Sequence, residues 1–578
     1  MSAIEPTSQA SEELKGADQD RLVQSVQALC SVGEKVSGQP SEAAACDIIV
    51  AKLAEYGVRY EVQTFDAFIS FPVRASVGVL GSTTLELDAV GVAFSEDTGA
   101  GGVVGELVAV GAGKAVDYQG IDVRGKVVLI SALPEYGACS AALKAGAIGL
   151  IGASSGPQRH KMTCSPIWGS PATEAEHQLI PRIPAVSVSK FDYVDLSARL
   201  ANGPVQVRRV GEGDTGWRSV KMPVATIEGR SPEYLLAGAH YCSWFDGATD
   251  NVAANAVLLE IARCFAGTKP RFGLKMVWWP GHSQGRYAGS AWYADQNWLD
   301  LHRHCIGYLN VDINGSKGAV KKALRNVTAE AQAFAIRVID SVTGSSVQDN
   351  GTVQLLKRPD KYVDRRRPHR GSDQSFLGIG VTSLQMSSFL AEDDPDRIPG
   401  AGLPRWWHSA QDVADAVDPA VLLEDATIHV QLVRSLLEAE KLPYSLAALA
   451  ADFEAALQEL SESGHQEELL DEVAGHVARY RQAAVAFDAK RDRLSSGDFN
   501  SAVLEILRIL TPVLYSTASG HYPDRASALR LLPSLSPLLS FNAASDEARK
   551  QGAILVRRGA NRIVLALQKA TSALIGYS

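Results

Sequence analysis

The spacing of apolar residues along the chain changes several times, and each change predicts a different kind of element. Over residues 20–56 apolar side chains recur at helical spacing, as in Leu22, Val26 and Leu29. Residues 58–65 then alternate between apolar and polar, which predicts a strand. The chain therefore begins with helices that lead into a sheet.

A different pattern occupies residues 89–210, where short Val- and Gly-rich runs are separated by glycine-rich turns. This pattern predicts a compact β-rich insert with its own small core and one helix over residues 138–145. No cluster of acidic and basic side chains stands out inside it. The strands predicted in the insert cover residues 103–110, 126–130, 147–151 and 185–188.

After the insert, strand and helix patterns alternate, which is typical of a mostly parallel sheet sandwiched by helices. The predicted strands cover residues 234–239, 274–279, 306–311 and 382–386. The predicted helices cover residues 253–265, 289–299, 329–343 and 419–437. The fold class is therefore α/β with a β-rich insert. Ligands of such sheets usually bind beyond the carboxyl ends of the strands.

From about residue 442 onward the pattern is helical throughout and predicts about four helices. A chain of 578 residues is too long for a single hydrophobic core, which also favours several domains. The predicted division is a disordered lead-in over 1–19, a catalytic domain over 20–88 and 211–440, the insert over 89–210, and a helical domain over 441–578.

Composition narrows the classes of partner and compartment. Apolar residues make up 46% of the chain, charged residues 21%, and the formal net charge is −9, with no long basic run. Nucleic acid and anionic membranes are therefore not expected partners. The chain has no apolar stretch long enough to span a bilayer, and its polar, acidic beginning lacks a signal-peptide layout. Seven scattered cysteines without a CxxC pair favour a reduced, cytoplasmic protein.

Four residues with metal-ligand chemistry occur at or just beyond the predicted strands: His240, Asp250, Asp312 and His408. Imidazole and carboxylate together suit zinc, and also cobalt or manganese. An aspartate shared between two such sets would allow one or two ions to bind. Taken singly, each residue has another interpretation: Asp250 as a helix N-cap, Asp312 as a turn residue, and a histidine as a polar core residue. Their order in an alternating α/β pattern favours the metal site.

These residues lie in segments that resemble the zinc aminopeptidase family that includes glutamate carboxypeptidase II and the transferrin receptor. The segments are LLAGAHYCSWFDGATDNVAANAVLLEIAR, LNVDINGS, GSDQSFLGIGVTSLQ and WWHSAQDVADAVD. The resemblance covers nearly the whole chain. It implies a protease-associated insert domain, a helical domain used for homodimers, and two zinc ions bound by the four residues, with Asp250 bridging.

The same resemblance exposes two departures from the family pattern. An aspartate that orients the first histidine is replaced by Cys242, which could bind metal or react if deprotonated. Two adjacent glutamates, one a general base and one a metal ligand in the family, are also absent. The positions of these two glutamates correspond to Ser283 and Gln284 or to His282 and Ser283, depending on which glycines of the two sequences are matched.

His282 is the natural substitute for the missing glutamates, as general base or as metal ligand. The alternative is that it packs in a loop beside Trp279 and Tyr287. Arg286 and Tyr287 could bind a substrate carboxylate or an oxyanion, or Arg286 could form a surface salt bridge.

The segment over residues 361–370, KYVDRRRPHR, is a charged run of the kind that usually forms a solvated loop. It precedes the GSDQSF segment, which borders the substrate pocket in the resembling family. One of its basic residues could therefore contact an anionic substrate group; the candidates are Arg365, Arg366, Arg367 and His369.

Three hypotheses about function follow. The first is a metal-dependent hydrolase of a peptide, amide or related C–N bond, acting on a short peptide or small molecule with His282 as base. The second is a non-catalytic binding relative, which the missing glutamates favour. The third is a metal-dependent lyase, cyclase or other non-peptidase enzyme acting on a small substrate. The retained ligand set favours the first.

Overall fold

One long twisted sheet carries the fold, and the strands at its catalytic end are mostly parallel. The computed structural model describes residues 16–343, 372–399, 402–517, 520–526 and 529–577. Among these, no helix is long and apolar enough to cross a membrane.

The catalytic end of the sheet has the strand order β13-β14-β12-β10-β11-β9. Strands β10, β11, β12 and β14 run parallel, whereas β13 and β9 pair antiparallel at either side. All seven residues of β10 are buried, as expected for a central strand covered by helices on both faces. These strands are β9 (Gln206–Ile227), β10 (Tyr234–His240), β11 (Gly273–Trp279), β12 (Cys305–Val311), β13 (Ala319–Leu324) and β14 (Ser383–Leu390).

Helices cover this part of the sheet and bury their apolar faces against it. The last of them begins with Asp418 as N-cap and Pro419 in the first turn, a strong start signal. They are α1 (Gln19–Cys30), α2 (Pro40–Glu55), α6 (Ala253–Phe265), α7 (Ala288–Gln296), α8 (Trp298–His304), α9 (Ala329–Thr343) and α10 (Pro419–Leu437).

The strand predicted over residues 58–65 is in fact much longer: β1 (Arg59–Leu80) has 22 residues. It pairs antiparallel with β9, which also has 22 residues, from Arg59 opposite Thr226 to Leu80 opposite Gln206. The pair makes a ribbon that joins the catalytic sheet to the insert, and β9 crosses the boundary predicted at residue 210. The sequence pattern missed this length because burial along β1 does not alternate regularly.

Four strands of the insert are parallel to one another, with helices between them. The predicted insert strands are all present at nearly the predicted positions. The insert elements are β2 (Leu85–Asp88), β3 (Val90–Ala93), β4 (Val103–Ala109), β5 (Val127–Ile130), α3 (Tyr136–Lys144), β6 (Gly149–Ala153), β7 (Met162–Thr163), α4 (Glu174–His177), β8 (Ala185–Val188) and α5 (Lys190–Ala201).

The C-terminal region is helical, as predicted, and packs on the catalytic part through one large shared core. A 3-10 segment, Pro533–Ala543, precedes the last helix. The four helices are α11 (Leu446–Ser461), α12 (Glu467–Asp488), α13 (Ser496–Tyr515) and α14 (Asp546–Gly576).

The structure confirms the predicted fold class, a mostly parallel sheet between helices with a helical C-terminal region. The helices predicted over 253–265, 329–343 and 419–437 have those bounds in the structure. The helix predicted over 289–299 is wrong in one respect, because the chain breaks at Asn297 into α7 and α8. Strand β13 was not predicted.

Candidate metal centre

Three of the predicted ligands meet at the carboxyl edge of the parallel strands. His240 is the last residue of β10, Asp312 follows β12, and Asp250 lies in the turn before α6. All three are buried, and each offers a ligand atom within 4.8 Å of the others. The strand ends therefore bring together one imidazole and two carboxylates, as the sequence predicted.

The geometry of this triad fits a divalent cation. His240 Nε2 lies 2.9 Å from Asp250 Oδ1 and 3.6 Å from Asp312 Oδ1. None of these buried atoms has a hydrogen-bond partner elsewhere. Burial and, to a smaller extent, the Asp250 charge raise the pKa of Asp312, but the hydrogen bond and charge of His240 hold it below its ordinary value. A cation between the two carboxylates would offset their repulsion and satisfy the three converging atoms.

The surroundings of Asp250 keep it ionised. Burial opposes the charge, but hydrogen bonds from His240 and His408 hold the pKa of the Asp250 carboxyl well below its ordinary value. The pKa of His240 is also set by two opposing effects. Burial lowers it, but the hydrogen bonds to Asp250 and Asp312 raise it well above the ordinary value. The carboxylates therefore stay ionised beside His240, and a divalent cation bound there would take the place of the proton on His240 Nε2.

The orientation of His240 is fixed by the main chain. Its Nδ1 lies 2.9 Å from the carbonyl oxygen of Cys242, so Nδ1 donates and Nε2 remains available as a ligand atom. The Cys242 thiol does something else: it accepts a hydrogen bond of 3.1 Å from the main-chain N–H of His282. The orienting role of the absent family aspartate is therefore taken by a carbonyl two residues after the histidine.

Asp312 is oriented by a serine. Ser372 Oγ donates to Asp312 Oδ2 at 2.5 Å, and Asn310 Nδ2 donates to Ser372 Oγ at 2.6 Å. This leaves Oδ1 of Asp312 turned towards His240. Ser372 has left-handed backbone geometry, with φ of 66°, so a local turn places its hydroxyl.

The turn that carries Asp250 is held by a second aspartate. Asp412 accepts hydrogen bonds from the main-chain N–H of Thr249 at 2.8 Å, from its hydroxyl at 2.8 Å and from the N–H of Asp250 at 3.2 Å. Burial raises the pKa of Asp412 to about 7, although the hydrogen bonds from Thr249 lower it. Gly247 starts the turn with φ of 56°, and a Cβ there would lie 2.5 Å from the Asp250 carbonyl oxygen.

His408 approaches the other oxygen of Asp250, with Nε2 3.1 Å from Oδ2. It is held from the insert side, because its Nδ1 donates to the Lys161 carbonyl oxygen at 2.9 Å and its own carbonyl accepts the Lys161 N–H at 3.0 Å. Trp407 stacks on the imidazole with ring centroids 3.6 Å apart. Lys161 falls within residues 89–210, so the predicted insert segment contributes directly to the site.

His282 lies against the triad but is held by its own partner. Its ring stacks on that of His240, with centroids 3.8 Å apart. Its Nδ1 donates to Asp373 Oδ2 at 2.8 Å, and Asp373 Oδ1 accepts from Ser290 Oγ at 2.9 Å. Because Nδ1 carries the proton towards Asp373, Nε2 is the basic nitrogen of the neutral ring. The edge of Tyr287 also contacts the ring, with centroids 4.9 Å apart.

The positions matched to the missing glutamates hold no carboxylate. Gln284 is fully used by the structure: its Oε1 accepts from Ser37 N at 2.7 Å, and its Nε2 donates to the carbonyls of Lys35 and Ser243. Ser283 instead lines a cavity of about 190 Å³ beside the triad. The other lining residues are His240, Cys242, Ser243, Trp244, Asp250, Gln284 and His408.

Of the predicted substrate-binding residues, Arg286 and Tyr287 are adjacent to the site. Arg286 directs its guanidinium to the Ala526 carbonyl oxygen, with Nη2 at 3.0 Å, and so contacts the C-terminal region. Tyr287 packs on Trp168, with ring centroids 4.1 Å apart, and burial raises its pKa. The other candidates, Arg365, Arg366, Arg367 and His369, lie outside the described residues.

Sequence reasoning missed the residues that orient the site. Asp373, Asp412 and the hydrogen bond from Ser372 were not predicted, although all three lie in segments quoted for the family resemblance. Their position as polar residues inside those segments was the available signal. The contact of Lys161 with His408 had no signal, since it joins the His408 imidazole to the Lys161 carbonyl, 247 residues away.

Unusual backbone geometry concentrates around the site. Ten non-glycine residues of the described chain have positive φ, and six of them surround the metal centre. Such conformations persist where neighbouring contacts impose them. The six are Phe245, Arg286, Tyr287, Ile313, Ser372 and His408.

Comparison with known proteins agrees with this geometry. Residues 223–433 match the model of peptidase family M28, and they contain all four predicted ligands. Two solved structures show the same fold: an aminopeptidase from Aneurinibacillus sp. strain AM-1, 22% identical with a TM-score of 0.52, and a zinc aminopeptidase from Bacillus subtilis, 18% identical with a TM-score of 0.55. They cover 72% and 74% of this chain, and 94% and 97% of their own.

Curated relatives confirm the resemblance drawn from the motifs. A probable glutamate carboxypeptidase VP8 of Zea mays is 25% identical over 391 residues, which are 55% of this chain and 54% of the relative. The human transferrin receptor protein 2 is 29% identical over 185 residues, which are 29% of this chain and 22% of the receptor. The chain thus spans about half the length of the first of these relatives and less of the second.

Proposed function

We propose that this protein is a metal-dependent hydrolase of a peptide, amide or related C–N bond, with His282 in the role of the usual glutamate base. The observation that carries the proposal is the buried group of His240, Asp250 and Asp312 within 4.8 Å of one another. The match of residues 223–433 to peptidase family M28 supports it. Zinc is the proposed metal, since the ligands are one nitrogen and two oxygens and a structural neighbour is a zinc aminopeptidase.

The chemistry supplied by a metal held at His240, Asp250 and Asp312 is Lewis-acid polarisation of the scissile carbonyl. The chain itself supplies proton transfer. His282 carries a proton on Nδ1 that Asp373 fixes, so its Nε2 takes a proton from the attacking water and later returns it to the leaving nitrogen. Ser290 holds the other oxygen of Asp373, which fixes that carboxylate in place.

The shape of the site favours a small substrate group. The cavity beside the triad is too narrow to enclose a drug-sized ligand, and its wall contains Trp244 and Ser283. Tyr287 and Trp168 form an aromatic wall next to His282. A short peptide or small amide with one residue inserted is the proposed substrate.

The test begins with elemental analysis of the purified protein beside a His240→Ala/His408→Ala variant. The proposal predicts bound divalent metal that the variant loses, together with hydrolysis of at least one short peptide or amide that a chelator abolishes. Metal binding with no activity on a broad panel would instead favour a lyase, cyclase or other non-peptidase enzyme. Folded protein that binds no metal after loading would favour a non-catalytic binder.

We also propose a homodimer formed through the C-terminal helices. The last helix, α14, is 31 residues long and exposes large apolar side chains. Ile554 and Leu565 are 54% and 52% exposed and lie eleven residues apart, about three turns along one face. Sedimentation velocity should show a dimer that Ile554→Glu/Leu565→Glu converts to a monomer, and a wild-type monomer would refute the proposal.

A further inference from the structure

The two oxygens of Asp250 face different numbers of partners. Oδ1 points to His240, beside Asp312, and completes a group of three ligand atoms. Oδ2 points to His408 alone, at 3.1 Å. A bridging carboxylate normally binds two metals that have similar sets of ligands. The difference between the surroundings of the two Asp250 oxygens therefore bears on how many ions this chain can hold.

The second position lacks a third ligand. Among the described residues, no other histidine, cysteine, aspartate or glutamate joins Asp250 and His408 in a group with ligand atoms within 4.8 Å of one another. Cys242 lines the same cavity, yet it is not part of such a group. Two protein ligands bind a divalent ion much more weakly than three.

Two of the residues that line the cavity together with His408 have neutral side chains. The side-chain oxygen and nitrogen of Gln284 are both hydrogen-bonded to main-chain groups, those of Ser37, Lys35 and Ser243. Neither atom is therefore available as a metal ligand. Ser283 contributes a neutral hydroxyl group to the cavity. His408 in turn is fixed by Lys161 and stays in place without a metal on its Nε2.

We infer that this chain holds one resident metal ion, at His240, Asp250 and Asp312, and that His408 positions Asp250 rather than binding a second ion. The inference rests on the proposed function, because it concerns the same metal site. It leaves Ser283 and His408, which line the same cavity, to contact the substrate.

The experiment counts metal directly. Metal-free protein is titrated with Zn²⁺ by calorimetry, and the bound zinc is measured by elemental analysis after gel filtration. Wild type should bind one equivalent. His408→Ala should still bind one equivalent, with about 10–100-fold weaker affinity, as for loss of a group that orients a ligand. His240→Ala should bind none.

A matched pair of variants tests the cause. Ser283→Glu adds a carboxylate to the cavity wall and should raise the count to two equivalents. Ser283→Gln has nearly the same size without the charge and should stay at one. Thermal melting of each protein, with and without Zn²⁺, shows whether folding is intact.

The possible results separate the two proposals. Two equivalents in wild type, with one lost in His408→Ala, would overturn the single-metal inference and leave the metal-dependent hydrolase standing. No equivalent in folded wild type would overturn the proposed function itself. One equivalent in Ser283→Glu would overturn the assignment of the missing ligand to that position.

Discussion

The strand-end side of the site and its loop side are built in different ways. On the strand-end side, His240 and Asp312 sit at the ends of buried parallel strands. The Cys242 carbonyl, two residues from His240, and the Ser372 hydroxyl, 60 residues from Asp312, then orient the two side chains. On the loop side, His282 and His408 lie beyond the sheet and are held by groups from other parts of the chain.

This difference teaches which part of a site tolerates replacement. The strand ends place their side chains through sheet geometry, so the ligand set survives there unchanged. The loop side depends on individual contacts, and there His282, held by Asp373, lies in the loop where the family resemblance implies two adjacent glutamates. Loop residues can be exchanged while the sheet stays the same.

The largest effect is expected on the strand-end side. His240→Ala should remove the bound metal and lower kcat/KM by on the order of 10³-fold, because several kcal/mol of transition-state stabilisation is lost with the ion. His302→Ala is a matched control, since His302 is a half-buried histidine outside the site. Elemental analysis and steady-state kinetics check both. Retained metal in His240→Ala would show that the triad is not the site.

On the loop side, His282→Ala should lower kcat by about 10²–10⁴-fold while the metal content stays at the wild-type value. We expect kcat to fall without a loss of metal because His282 lies outside the group of three ligand atoms. His304→Ala, a surface histidine beside Asp300, is the control. Full activity of His282→Ala would remove it from the mechanism, and simultaneous loss of metal would make it a ligand.

Asp373→Asn tests the support of that histidine. The amide keeps the shape but no longer holds the Nδ1 proton of His282 as a carboxylate does, so kcat should fall by about 10–100-fold with an unchanged zinc affinity. Ser290→Ala, which removes only the outer hydrogen bond to Asp373, should have a smaller effect. Equal activities of Asp373→Asn and wild type would contradict the proposed pair.

Lys161→Met tests how the Lys161 side chain anchors the insert segment to Glu34 and Phe245, while its main-chain contacts with His408 are kept. The Lys161 ammonium is 2.7 Å from Glu34 Oε1 and stacks over Phe245, so its loss leaves Glu34 without its cation. The free energy of unfolding should fall by about 1–3 kcal/mol, with a smaller loss of activity than for His282→Ala. Denaturant unfolding measures the first, and an unchanged midpoint would show that this contact contributes nothing.

The smallest effect on activity is expected for Glu42, at the start of α2, because it supports only the segment that carries Ser37. Burial raises the pKa of Glu42 from 4.5 to about 7, although hydrogen bonds from Gly38 and Ser37 lower it. A raised native pKa gives stability that is present below pH 4.5 and is lost as the pH rises through 7. Glu42→Gln should remove this decline, on the order of 2–3 kcal/mol. Equal pH dependence of unfolding in both proteins would contradict it.

The strand-end side and the loop side also differ in how much of them could be predicted from the sequence. The strand-end ligands and most strands and helices were predictable because burial and period fix them within short segments. The partners Asp373, Asp412 and Lys161 were not, because each acts through a contact between distant segments. The long ribbon was missed for a related reason: its strands are stabilised by each other, and neither has a regular pattern alone.

The 22-residue pairing of β1 with β9 also sets the order in which the protein can fold. On a ribosome, β1 emerges more than a hundred residues before its partner and must wait as an unpaired strand. Lys161 and His408 meet later still. Pairings of such long sequence separation form slowly, so the edge of β1 stays unpaired in the nascent chain at least until β9 has been made.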